Sequence, residues 1–196
     1  MIYLVRHGQT EFNVARRYQG QGDSPLTLLG QMQAKRMGER LAALIPEPAG
    51  WRIVSSPLGR AVATAQIIAR ALGGAAPVST DLRLAEVGMG DWDGLTYEEL
   101  EARRPRHLEH DERHFHGPGG ESFEAFRTRL RDWLESVGPD EQVIAVSHGV
   151  SGRVLRGLYT GMPKDKMLRL DAPQDVVHRL HAGRTQRFEC DPVALD

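Results

Sequence analysis

Two places in the chain share one short pattern: an apolar run, one residue, then His-Gly. Residues 2–5 lead into Arg6-His7-Gly8, and residues 143–146 lead through Ser147 into His148-Gly149. Short continuous apolar runs of this kind read as strands buried on both faces, the strands of a parallel sheet. Between them, strand-like runs alternate with longer helical periodicity. Thr27 caps an expected helix to about residue 45, with Met37, Leu41, Leu44 and Ile45 at the spacing of one buried face. Residues 53–55 read as the next strand. Ser56 and Pro57 read as the N-cap and first position of a helix that carries Ala61, Ala65, Ile68 and Leu72 on one stripe and closes at Gly73-Gly74. A third strand is expected at 77–80. Thr96 and Ser122 each read as the cap of a further helix, the second with Phe123, Phe126, Leu130 and Trp133 or Leu134 inward, and a last helix is expected at 150–159. Residues 176–180 and 185–188 read as a closing hairpin around Ala182-Gly183. The alternation predicts an α/β fold, a three-layer α/β/α sandwich with a mostly parallel central sheet. At 196 residues the chain reads as a single domain over 1–196, with a lid-like excursion around 95–121.

In such sheets the ligand sits outside the carboxyl ends of the strands. Arg6, His7 and His148 stand at those ends, and Arg60 falls in the first turn of the helix after residues 53–55. Helix N-termini on that edge add backbone N–H groups suited to an anion. Two arginines, two histidines and backbone donors converge, and guanidinium forks match phosphate oxygens. Glycines beside the histidines allow backbone and ligand to approach closely. Bulk composition argues against other classes. Lys and Arg total 25 against 26 Asp and Glu, a net charge of −1, which disfavours a nucleic-acid binder. One Cys permits no internal disulfide, and no CxxC pair exists for zinc. No apolar run approaches the ~18 residues of a membrane span, and the N-terminus lacks the basic and long apolar regions of a secretory signal, so a cytoplasmic protein is expected.

Six stretches, in order, carry a resemblance. They are LVRHGQTEFN with Arg6, His7, Gly8, Thr10 and Asn13, then RRYQGQGDSPLTLLGQMQA from Arg16 and SSPLGRAVATAQ with Arg60, then LAEVGMGDWDG with Glu86, and last GGES with VSHG at His148 and Gly149. Over nearly its whole length the sequence resembles the histidine phosphatase superfamily, the group that includes cofactor-dependent phosphoglycerate mutases. Gln9 stands where many members carry Glu.

The resemblance implies a phosphoglycerate mutase-like fold and a phosphohistidine mechanism. His7 would attack phosphorus as a neutral imidazole, its pKa depressed by Arg6 and Arg60. Those arginines and His148 would stabilise the transferring oxygens. Asn13 and Gln19 would donate further hydrogen bonds, and Gly8, Gly20 and Gly149 complete the phosphate-binding set. Glu86 would protonate the leaving oxygen and then activate water. No metal and no cofactor is called for, because the arginines supply the positive charge. The expected activity is hydrolysis of a small phosphorylated metabolite, favoured over phosphoglycerate mutase-type transfer because the chain is compact and RYQGQGDSPLT looks like the phosphatase side of the family. A non-catalytic phospho-ligand binder is the third class, disfavoured because His7 and Glu86 are both present. An exposed sheet edge could pair two subunits.

Three other features compete. Asp91-Trp92-Asp93-Gly94 carries the paired aspartates of a magnesium-dependent aspartyl phosphatase, but Gly88-Met89-Gly90 precedes it where a buried strand should stand. His107, His110, Asp111 and His114 would share a helical face able to bind a divalent metal; a solvated face is the favoured reading, with His116 beside it, and the resemblance adds a third, since the same region overhangs the active site in that family and its histidines could touch substrate without holding metal. Cys190 reads as a packed or surface thiol, and Trp92 as a core residue or a pocket wall.

Overall fold

The computed structural model describes residues 1–103 and 110–193. Four parallel strands and two antiparallel ones form one sheet. They are β1 (Ile2–Arg6), β2 (Trp51–Ser55), β3 (Val78–Thr80), β4 (Gln142–Ser147), β5 (Val176–His181) and β6 (Arg184–Glu189), in the order β3-β2-β4-β1-β5-β6. β4 lies between β2 and β1, parallel to both, with Arg6 opposite Ser147 and Ser55 opposite Val146. The carboxyl ends of three strands therefore sit side by side. β5 pairs antiparallel with β1 and turns into β6 through Ala182 and Gly183, both at positive φ.

Alternation along β1 and β4 explains why their sequences are apolar without a gap. Leu4, Val143 and Ala145 face one core, while Tyr3, Val5, Ile144 and Val146 face the other. Successive side chains point to opposite faces, and both faces are covered. Over one face lie α2 (Leu28–Leu44) and α3 (Gly59–Ala71), which bury Met37, Leu41, Ala65 and Ile68. Over the other lie α4 (Tyr97–Arg103), α5 (Phe123–Ser136), α6 (Gly149–Tyr159) and α7 (Lys164–Leu168), with Phe126, Leu130, Trp133, Val154 and Leu155 inward. Trp92 is buried in this second core.

Thr27, Thr96 and Ser122 cap as expected: each hydroxyl accepts the backbone N–H three residues on. Ser56 does not. Helix α3 starts at Gly59 with Leu58 as its N-cap. The Ser56 hydroxyl accepts from the Leu58 N–H, which forms a turn ahead of the helix, and meets the ring of His148. Two short helices carry too few residues for a periodic signal: α1 (Glu11–Val14) and α7.

Candidate active site

β1 delivers Arg6 and His7, and the His7 N–H continues the ladder to the Ser147 carbonyl at 3.0 Å. The buried His7 ring donates from Nδ1 to the Gly8 carbonyl at 2.8 Å. That bond fixes the tautomer and leaves Nε2 as an acceptor. Arg60 Nε donates to it at 3.3 Å. Burial, then Arg6 and Arg60, hold the imidazole pKa well below 6.5, so the ring is neutral at physiological pH.

Arg60, 2% exposed, is aimed by four acceptors. Besides His7 it donates to the Gly22 and Gly20 carbonyls at 2.6 and 2.9 Å and to Asp23 Oδ1 at 3.2 Å. Gly20 must be glycine: its φ is +50°, and a Cβ there would lie 1.6 Å from Asp93 Oδ1. Arg6 is anchored by the Ala172 carbonyl at 2.5 Å. Burial draws the pKa of both guanidinium groups down, while Glu86 opposes it.

Glu86 stands on an irregular segment clamped from two sides. Ser147 Oγ donates to the Leu84 carbonyl and Ser151 Oγ to the Ala85 carbonyl. Arg129 of α5 donates to the carbonyls of Arg83, Ala85 and Glu86. The carboxylate meets the N-terminus of α6, where Oε2 accepts from the Val150 N–H at 3.0 Å. Oε1 accepts from the N–H groups of Val87 and Ser151, and the Ser151 hydroxyl shares its single proton between Oε1 and the Ala85 carbonyl. Oε1 is saturated and Oε2 is not, so Oε2 is the oxygen with capacity for a transferred proton.

Arg6, His7, Asn13, Gln19, Gly20, Arg60, Glu86 and Gly149 line one cavity of about 170 Å³. Two expected residues do not line it. His148 lies behind His7, 1% exposed, with ring centroids 5.1 Å apart. Its Nε2 is taken by Ser56 Oγ at 2.7 Å, deeper in the sheet edge. Burial, then Arg60, His7 and Arg6, keep its pKa well below 6.5. Gly8 is small for a different reason than ligand approach: a Cβ there would lie 2.1 Å from the Gly30 carbonyl oxygen. The contact is backbone to backbone against α2.

Around the mouth stand residues that motif spacing did not bring forward. Arg17 and Tyr18 follow α1, Tyr97 and the Arg113-His114 pair come from the 95–121 stretch, and Arg153 comes from α6. His114 does not sit on a solvated face as expected: it is buried at the cavity wall, its ring 5.7 Å from Tyr18. Their signals were indirect: Arg17 and Tyr18 lie inside the RRYQGQG stretch, His114 on the face offered for a metal, and Arg153 five residues after His148. His107 and the side chains of His110 and Asp111 lie outside the described residues. His116 pairs with Glu112 at 3.8 Å. Among the described residues no group of three His, Cys, Asp or Glu is arranged to hold a metal. Asp93 accepts the N–H groups of Met89 and Gln21, and burial raises its pKa. No helix among the described residues is long and apolar enough to cross a membrane.

An α/β sandwich with histidines ending adjacent parallel strands, arginines beside them and a carboxylate across the cavity defines the class, and the chain belongs to the histidine phosphatase superfamily (branch 1), whose family model matches residues 2–190. A relative from Salmonella paratyphi C (strain RKS4594), named "Probable phosphoglycerate mutase GpmB", is 39% identical over 179 residues, covering 86% of this chain and 80% of the relative. Among solved structures, mycobacterial glucosyl-3-phosphoglycerate phosphatase in complex with VO3 superposes with a TM-score of 0.76 at 29% identity, covering 97% of this chain and 99% of that one. The alpha-ribazole phosphatase from Shigella flexneri, at 22% identity and a TM-score of 0.75, covers 100% of this chain and 98% of its own and shows the same fold.

Proposed function

We propose that this chain is a phosphomonoester hydrolase that works through a phosphohistidine on His7 and acts on a small phosphorylated metabolite. The observation that carries the reading is His7 itself. Its Nδ1–H is committed to Gly8, and its neutral Nε2 faces a cavity lined by five arginines and one carboxylate. Nε2 exchanges its hydrogen bond from Arg60 for attack on phosphorus in line, and the ester oxygen leaves with a proton from Glu86 Oε2. Arg6, Arg60 and the Asn13 amide take up the charge on the phosphoryl oxygens. His148 supports the His7 ring from behind. In the second step water attacks the phosphohistidine, Glu86 accepts its proton, and inorganic phosphate departs. The vanadate complex of the mycobacterial phosphatase supports this reading, because vanadate mimics the pentacoordinate transition state.

The name of the Salmonella relative favours a second reading, phosphoglycerate mutase-type transfer, in which the phosphohistidine returns its phosphoryl group to a phosphoglycerate. A panel of phosphometabolites, assayed with excess EDTA and beside a phosphoglycerate mutase assay, separates the two. Hydrolysis that survives EDTA and exceeds mutase turnover is expected. Interconversion of phosphoglycerates with little free phosphate would establish the mutase, and loss of activity on chelation would overturn the metal-independent mechanism.

A further inference from the structure

The amide of Asn13 has two unlike ends, and only one suits an anion. Its Oδ1 accepts from the Thr10 N–H at 3.1 Å and from Gln174 Nε2 at 3.0 Å. An amide oxygen has two lone pairs, so both are used, and the donor end Nδ2 remains. The Thr10 contact is local, part of the capping box that opens α1. The terminal torsion of Asn is broad and nearly two-fold, so one local bond constrains it weakly. Gln174 supplies the second donor from 161 positions away in the chain. The same Nε2 donates to the His7 main-chain carbonyl at 3.2 Å. Two residues earlier, the Ala172 carbonyl anchors Arg6. One short segment before β5 thus reaches Arg6, His7 and Asn13, and Gln174 does so without lining the cavity.

We propose that Gln174 is a positioning residue: its amide locks Asn13 with Oδ1 turned inward and Nδ2 presented to a phosphoryl oxygen. The inference rests on the reading of the cavity as a phosphoryl site. With Gln174 replaced by a residue that cannot donate, Asn13 can turn over and set its oxygen against the anion.

The test is a double-mutant cycle of Gln174→Met and Asn13→Ala, read by calorimetric vanadate affinity and by KM and kcat for an aryl phosphate. Gln174→Met should weaken vanadate binding and raise KM by about tenfold, the scale of one hydrogen bond to a charged group. In the Asn13→Ala background the same substitution should add almost nothing. A full, additive loss in that background would overturn the role of Gln174 while the phosphoryl-site reading stands. A wild-type protein that neither binds vanadate nor hydrolyses the ester would overturn both. Where methionine is not tolerated, the same cycle with Gln174→Ala decides the matter.

Discussion

Arg60 donates to His7 and to three oxygen acceptors at once, and its charge adds to burial and to Arg6 in holding the His7 imidazole neutral. An imidazolium cannot attack phosphorus, so the acid limb of kcat/KM should lie well below the ordinary histidine value. Arg60→Met removes one opposing cation, so the His7 pKa rises and that limb should move to higher pH. The same change should lower kcat/KM by roughly 10²–10³, as expected for one preorganised charge at a transferring group. A pH–rate profile checks both, and an unmoved acid limb would show that Arg60 does not tune His7. Arg6, His7, Arg60 and His148 were legible because each stands beside a strand end or helix start that the sequence announces, whereas Glu86, on an irregular segment, came only with the family resemblance. Gln174, Tyr97 and Arg113 were not, since they meet the site only through tertiary convergence of segments with no local pattern. The ordering of the two histidines was also invisible. The His-Gly pattern alone makes them alike, and the resemblance set His148 on the phosphoryl oxygens, but Ser56 draws His148 behind the wall and leaves His7 at the cavity.

Helices α2 and α3 cross at a point that only a glycine permits. A Cβ on Gly38 would lie 2.6 Å from Ala71 Cβ and 3.2 Å from Ile68 Cα. Gly38→Leu should therefore cost ~1–3 kcal/mol through overpacking. For a chain of this size that is about 2–4 °C of Tm per kcal/mol. Thermal unfolding checks it, and an unchanged Tm would mean the pair can separate without cost. At this scale the sequence was readable wherever a cap and a buried stripe agreed, as at Thr27, Thr96 and Ser122. It misplaced the start of α3, because Ser56-Pro57 is a favourable helix start in isolation. The structure uses Ser56 as a partner for His148 instead, and the helix begins at Gly59.

Among the described residues, His7, His148 and His178 are buried with their pKa values drawn down. His7 and His148 are held well below 6.5, and burial pulls His178 on β5 down to about 4. Between pH 6.5 and 4 the unfolded chain binds more protons than the folded one at these sites, so stability falls as pH drops through that window. The carboxylates held low, such as Asp81 and Asp171, lose their contribution only below the ordinary carboxylate range. Tm measured from pH 7.5 to 5 should therefore decline steadily, and a flat profile would contradict neutral burial of these rings. The three-layer architecture was legible because each strand–helix alternation specifies a crossover. The strand order was not, because nothing local to residues 142–147 says that β4 inserts between β1 and β2. That insertion is what sets His7, His148 and Arg60 on one edge.

Hydrolysis by this route requires a covalent phosphoryl group on His7. Rapid quenching of the protein with a labelled aryl phosphate, under alkaline conditions, followed by peptide mapping, tests it directly. An alkali-stable, acid-labile label on His7 is expected, forming and decaying fast enough to support turnover and absent from His7→Ala, in which hydrolysis falls by at least ~10³-fold. Label on Asp91 or Asp93, or substantial turnover by His7→Ala, would contradict it.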